Sequence, residues 1–305
     1  MKRYAPAYYK DFSCIADKCR HSCCVGWEID VDKKTLGKYK KLRDGYGEMI
    51  LASIDTRDTP HFSLCGDERC PHLDERGLCR IISHYGEGCL CDICREHPRF
   101  YNDTAKGREV GLGMACEEAC RLILTAKDYT AVCEIGKEKG RARRPSFNAL
   151  PERERIYSIL LDDSLAYPER LEKIADAYGI SPPDDTKCRE RLASLEYMTE
   201  ENRARFAGAF SAEPSTPQEI QPLLCRALAY FVFRHVTVAK SMEDLRMAVG
   251  FSLLCERLLC SLVKAENAFG LDAFCDRARI LSEELEYSEE NTRALMIFSI
   301  QKNRF

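Results

Sequence analysis

Four cysteines fall within the eleven positions from Cys14 to Cys24, in the string CIADKCRHSCCVGW that runs on to Trp27. They stand too densely for ordinary core cysteines and too close in sequence for a relaxed set of local disulfides. A metal ion or an iron–sulfur cluster accounts for such a run. A second group follows: Cys65, Cys70, Cys79, Cys89, Cys91 and Cys94, then Cys116 and Cys120. Its strings, RCPHLDERGLCRI at 69–81 and CDICREHPRF at 91–100, surround thiols with Gly, Pro and Asp for backbone bends and with basic side chains that favour the thiolate. Structural zinc sites pair two CxxC units, and here only Cys91 and Cys94 have that spacing. The adjacent pair Cys23 and Cys24 suits a polynuclear site, or two sites, better than one tetrahedral ion. Iron–sulfur ligation, at four thiolates per cluster, is therefore favoured, with zinc as the alternative. His21, His72 and His97 lie within these strings and could replace a thiolate, although a place behind the ligands or at the surface is the more ordinary one.

Size does not require these cysteines, because 305 residues bury a core without disulfide staples. With 45% apolar and 31% charged residues the composition is that of a soluble globular protein. The N-terminal MKRYAPAYYKDFSC has no apolar stretch or small-residue cleavage site for export, so the expected compartment is the cytoplasm, where clustered thiols bind metals or do redox chemistry. No membrane span is expected, and a net charge of −3 argues against a nucleic-acid partner.

Thirteen of the 18 cysteines lie at or before Cys133, and the charged run KEKGRARR at 137–144 reads as a linker. The expected fold is mainly α: an irregular cysteine-rich cluster-binding domain at 1–136 packed on an α-helical bundle at 145–305. In the first part, helices are expected at 33–41, capped by Asp32, and at 116–129, with a short strand at 27–31. In the second, helical spacing or composition marks 151–165, 168–178, 184–198, 217–239, 242–268, 271–285 and 289–302. Ile220, Leu223, Leu224, Ala227, Leu228, Phe231 and His235 form one apolar face, which predicts an amphipathic core helix with His235 a satisfied core histidine. Thr216, Pro217 and Glu219 mark its start as a capping box, and Ser241 with Asp244 repeat the signal before the next helix. Cys188, Cys225, Cys255, Cys260 and Cys275 fall in these helices as core or surface thiols.

The order Phe12, Cys14, Cys19, Cys23, Cys24, Gly26, Trp27, then Cys70-Pro71, Leu73, Gly77-Leu78-Cys79, then Cys94-Arg95 and Pro98-Arg99, and finally Cys116 before a helix, resembles the flagellin lysine N-methylase family. The likeness covers roughly residues 4–124. It implies methyl transfer from S-adenosylmethionine to lysine ε-amino groups of a flagellin-type protein, and an iron–sulfur cluster, of the 4Fe-4S type, in the cysteine-rich part. It also implies a ligand set of Cys14, Cys19, Cys23, Cys24, Cys70, Cys79, Cys94 and Cys116. Cys65, Cys89, Cys91, Cys120 and Cys133 lie outside that order and are expected as small buried hydrophobes.

No glycine-rich turn after a strand marks a nucleotide-type cofactor site: the GxG in GREVGLGMAC at 107–116 suits a turn at least as well. A CxxxCxxC radical signature is absent, since Cys19 and Cys23 are followed by Gly26. Arg95 and Arg99 could hold an anionic cofactor or stabilise cluster charge. Trp27, a candidate beside the cofactor, is expected as a core anchor next to the ligands. Tyr8, Tyr9, Asp30, Tyr85, Glu87, Tyr101 and Asp103 form the pool for a base, which transfer to a neutral lysine amine requires. No single catalytic residue stands out. A non-catalytic metal-chelating module, or a cluster-dependent enzyme acting on another protein or peptide, are the alternatives.

Overall fold

The computed structural model describes residues 1–140, 145–211 and 215–301. The protein is mainly helical and divides into two compact units, residues 13–99 and residues 1–12 with 100–305. A division at 137–144 is expected from cysteine density. Strand pairing places it elsewhere: β1 (Lys2–Pro6) is the first element of the larger unit. Of the expected linker, Lys137 ends a strand and residues 141–144 lie outside the described residues.

The smaller unit holds α1 (Lys33–Tyr39), α2 (Gly45–Ala52), the paired strands β2 (Ile54–Asp55) and β3 (His61–Phe62), α3 (Arg80–Tyr85) and α4 (Asp92–Glu96). Between them the backbone runs in turns and isolated bridges. Residues 27–31 supply one such bridge, Asp30 with His61, in place of the expected strand. The unit has its own core of Ile29, Val31, Tyr39, Ile50, Phe62, Ile81 and Leu90, joined by Cys70 and Cys91.

In the larger unit β1 is flanked by β5 (Arg108–Leu112), which runs parallel, and β6 (Val132–Lys137), which runs antiparallel; β4 (Arg99–Asp103) completes the order β4-β5-β1-β6. The glycine run read as a turn is therefore largely strand β5. Gly111 sits there because a Cβ would lie 2.2 Å from the Phe100 ring. Nine helices follow among the described residues: α5 (Glu117–Thr125), α6 (Leu150–Leu160), α7 (Tyr167–Ala177), α8 (Asp185–Ala193), α9 (Glu200–Ala207), α10 (Gln221–His235), α11 (Met242–Ala265), α12 (Leu271–Leu281) and α13 (Glu289–Ser299). α9 is the helix that the sequence periodicity does not announce.

Helix α10 is buried on nearly every side, including Ala229, Tyr230 and Phe233 off the expected face, so it is a central helix rather than an amphipathic one. Its start also departs from expectation: Pro217 precedes a 3-10 turn over Gln218–Ile220, and the α-helix begins at Gln221. Ser241 does cap α11, accepting from Asp244 N at 3.0 Å, while the Asp244 carboxylate accepts from Lys240 N at 3.0 Å. Cys188, Cys225, Cys255, Cys260 and Cys275 are all buried in this core.

Two buried polar pairs in the core fix helix positions. Arg153 of α6 donates to Glu109 of β5 at 2.7 Å with both side chains 2% exposed, tying helix to sheet. Glu256 of α11 accepts from the Tyr167 hydroxyl at 2.7 Å, and burial pushes its carboxyl up to about 7 against the opposing pull of Tyr167 and Arg257. The folded state therefore binds this proton more tightly than the unfolded chain, and stability falls as pH rises between about 4.5 and 7. Glu256→Gln removes that loss. Urea midpoints are expected to favour the variant at pH 8 by on the order of 3 kcal/mol more than at pH 4.

Candidate functional site

The thiols of residues 13–99 are arranged by backbone hydrogen bonds. Asp32 caps α1 by accepting from Thr35 N at 2.9 Å, and its second carboxylate oxygen accepts from Asp92 N at 2.9 Å. One side chain thus sets both α1 and the turn in which Cys91 precedes α4 and Cys94 lies within it. The Tyr39 hydroxyl donates to the Cys89 carbonyl at 2.8 Å. Cys70 N donates to Cys24 O at 2.8 Å, Arg80 N donates to His72 O at 2.8 Å, and Leu73 bridges Cys79. These links hold the Cys24, Cys70 and Cys79 stretches to one another, and the Cys89–Cys94 stretch to α1 and its cap.

Their thiols share an electrostatic neighbourhood. Cys91 Sγ lies 3.4 Å from Cys94 Sγ. The hydrogen bond from Cys94 lowers the Cys91 thiol, while Cys91, then burial, then the charges of Cys24 and Cys70 hold Cys94 protonated. A hydrogen bond from Cys23, supported by Ser22, brings Cys24 down to about 7 against burial. Burial pushes Cys70 up to about 12, with further opposition from charge on Cys24, Cys79 and Cys91; Cys79 is raised by burial and by Cys24 and Cys91. Charge on Cys24 and Cys91 therefore opposes ionisation of Cys70, Cys79 and Cys94. Thiols that repel one another in this way are a donor type whose repulsion a bound cation relieves. Among the described residues, no group of three or more His, Cys, Asp or Glu side chains converges as a metal-binding set.

The remaining expected ligands stand apart in character. Cys14 and Cys23 are exposed, and Cys19 is half-buried with its thiol donating to His21 O at 3.1 Å. Cys116 belongs to the other unit, where it precedes α5. Cys65 and Cys133 are exposed rather than buried, Cys89 is half-buried, and Cys120 is buried as expected. Cys91 is buried as expected, and it also neighbours Cys70, Cys79 and Cys94 although the family order omits it; its CxxC spacing with Cys94 was the available signal.

His72 is not free to coordinate: its Nδ1 is 3.1 Å from the Tyr46 hydroxyl and its Nε2 is 2.9 Å from Ser53 Oγ. Burial lowers it to about 4, so it is a neutral core group. Burial likewise lowers His97 to about 4. Arg95 pairs with Asp92 and, at 3.4 Å, with Glu96. Arg99 begins β4 and is half-buried. Trp27 is half-buried and lies outside the described core, so it is not a buried anchor. The pool considered for a base divides between the units: Asp30, Tyr85 and Glu87 in the smaller, where the Tyr85 hydroxyl donates to Asp44, and Tyr8, Tyr9, Tyr101 and Asp103 in the larger, where Asp103 pairs with Arg108 at 2.8 Å.

The larger unit contains a polar cluster that the sequence reading did not single out. A π-helical turn, Ser282–Glu286, turns the Glu286 carboxylate fully inward. It takes His235 Nε2 at 2.6 Å, the Tyr230 hydroxyl at 2.9 Å and Ser282 Oγ at 2.6 Å, with Arg234 Nε at 3.4 Å. His235 is thus the satisfied core histidine expected of it. Arg234 lies over the rings of Phe100 and Tyr287 at 4.9 and 5.0 Å.

The flagellar biosynthetic protein FliU of Salmonella muenchen is 30% identical to this chain over 163 residues, which is 50% of this chain and 94% of that protein. The chain belongs to the flagellin lysine N-methylase family. Two further relatives named lysine-N-methylase, from Salmonella choleraesuis and Salmonella typhimurium, are each 32% identical over 138 residues, 42% of this chain. The chain matches 34% of the length of those two methylases. No family model and no solved structure matches it. Among the described residues, no helix is long and apolar enough to cross a membrane.

Proposed function

We propose that this protein transfers methyl groups from S-adenosylmethionine to lysine ε-amino groups of a flagellin-type protein, with an iron–sulfur cluster held by thiols of residues 13–99. The observation that carries the reading is the 32% identity to two relatives named lysine-N-methylase, together with a match to nearly the whole length of FliU. The neighbourhood of Cys24, Cys70, Cys79, Cys91 and Cys94 supports a thiolate-bound cofactor; the cluster would supply either a binding point for S-adenosylmethionine or rigidity to an irregular unit. In the reaction the neutral lysine nitrogen attacks the methyl carbon, the carbon–sulfur bond breaks, and S-adenosylhomocysteine leaves. The ammonium proton must pass to a base or to solvent, which a desolvated pocket favours by lowering the lysine pKa.

The test is incubation of the full chain, purified without oxygen, with methyl-labelled S-adenosylmethionine and Salmonella flagellin. Label recovered as Nε-methyl-lysine after hydrolysis is the expected result. Flagellin without label on lysine, under conditions where a known lysine methylase labels it, would overturn the proposal.

A further inference from the structure

The larger unit carries a groove of about 490 Å³ between the first turns of α11 and the length of α13. Met247, Met296 and Ile297 supply its apolar wall, and Ile297 is 44% exposed. Asp244 and Glu289 bring carboxylates, against which Arg293 is the single cation among the lining residues. The helices meet closely behind it: a Cβ on Gly250 of α11 would lie 2.6 Å from Ser299 Oγ of α13.

Acidic residues at helix starts are ordinary, since the helix dipole stabilises them as anions, and both helices begin this way, with Glu243 and Asp244 on α11 and Glu289 and Glu290 on α13. That accounts for the charges but not for the exposed Ile297, beside which Met247 and Met296 are each half-buried. Met side chains adapt to varied apolar partners, and carboxylates beside them select a partner that is cationic at the tip and aliphatic along the stem. Lysine has that chemistry. The same carboxylates favour the charged ammonium, which cannot accept a methyl group, so the groove suits recognition of lysines flanking the target rather than the transfer itself.

We propose that this groove docks a lysine-bearing segment of the protein substrate, the lysine stems on Met247, Met296 and Ile297 and the ammonium groups toward Asp244 and Glu289. The inference rests on the lysine-methylase reading above. Glu289→Lys and Ile297→Asp, both at exposed positions, test it with Salmonella flagellin as the probe, in direct binding and in methylation kinetics. Each variant is expected to melt within a few degrees of the wild type and to keep kcat, while flagellin affinity falls and KM rises by about tenfold. Wild-type affinity in both variants would overturn the docking proposal even if methylation is confirmed. So would wild-type protein that binds no flagellin, or variants that lose only self-association. Wild-type protein that binds flagellin without methylating it, with binding weakened in both variants, would keep the groove and overturn the enzymatic reading.

Discussion

Glu286→Ala is expected to destabilise the protein by about 3–5 kcal/mol, seen as a lowered urea midpoint, because removing one member of a buried charged cluster leaves the others without compensation. The carboxylate is fully buried, and its loss strands the Arg234 guanidinium, the Tyr230 hydroxyl and His235 in the core. Burial alone would raise this carboxyl. The charge of Arg234 and the hydrogen bonds from His235 and Ser282 outweigh it and hold the group at about 2. Since the folded-state value lies below the ordinary 4.5, the contribution is present above that pH and is lost as pH falls from about 4.5 toward 2. The wild type should therefore show an acid-sensitive component that the variant lacks. Glu286→Gln, which keeps the shape and an acceptor, should cost less than alanine.

The second large effect concerns the thiols. Cys70→Ala with Cys91→Ser is expected to retain about a tenth or less of the iron held by wild-type protein purified without oxygen, since on the proposed ligation two thiols of the cluster site are lost and losing a ligand exceeds losing a supporting group. Cys65→Ser, at an exposed thiol, should keep the wild-type content. Cys188→Ala, in the helical core, should keep the iron as well while costing stability through a small cavity. Equal iron in all three variants would remove the thiol neighbourhood from the cofactor account.

Where local chemistry decides, the fold was legible in the sequence. Asp32 before α1 and Ser241 with Asp244 before α11 cap as their spacing implies, because capping is settled within four residues. The apolar face written from Ile220 to His235 located α10 but not its full burial, which depends on how many neighbours surround it. The sheet was hidden for the same reason: β1 pairs with strands more than 100 residues away, and its short polar sequence carries no sign of them.

In the candidate site, the density of cysteines was visible but the grouping was not. The turn carrying Cys91 is held by the second Asp32 oxygen, a contact 60 residues away in sequence that the capping signal at Asp32 does not announce. His72 sits inside a cysteine string yet is consumed by Tyr46 and Ser53, and only the packed structure shows that its ring nitrogens are occupied. Glu286 follows Glu283 and Glu284 with nothing in the sequence to set it apart; the π-helical turn is what points its carboxylate inward.

The account turns on the thiols of residues 13–99 holding a cluster, and iron and acid-labile sulfide content of the full chain purified without oxygen tests that most directly. The expected result is iron and sulfide in equal amounts, about four of each per chain for a 4Fe-4S cluster, with thiolate-to-iron charge-transfer absorbance. Zinc without sulfide, or no metal at all in protein that is folded by its melting transition, would contradict it.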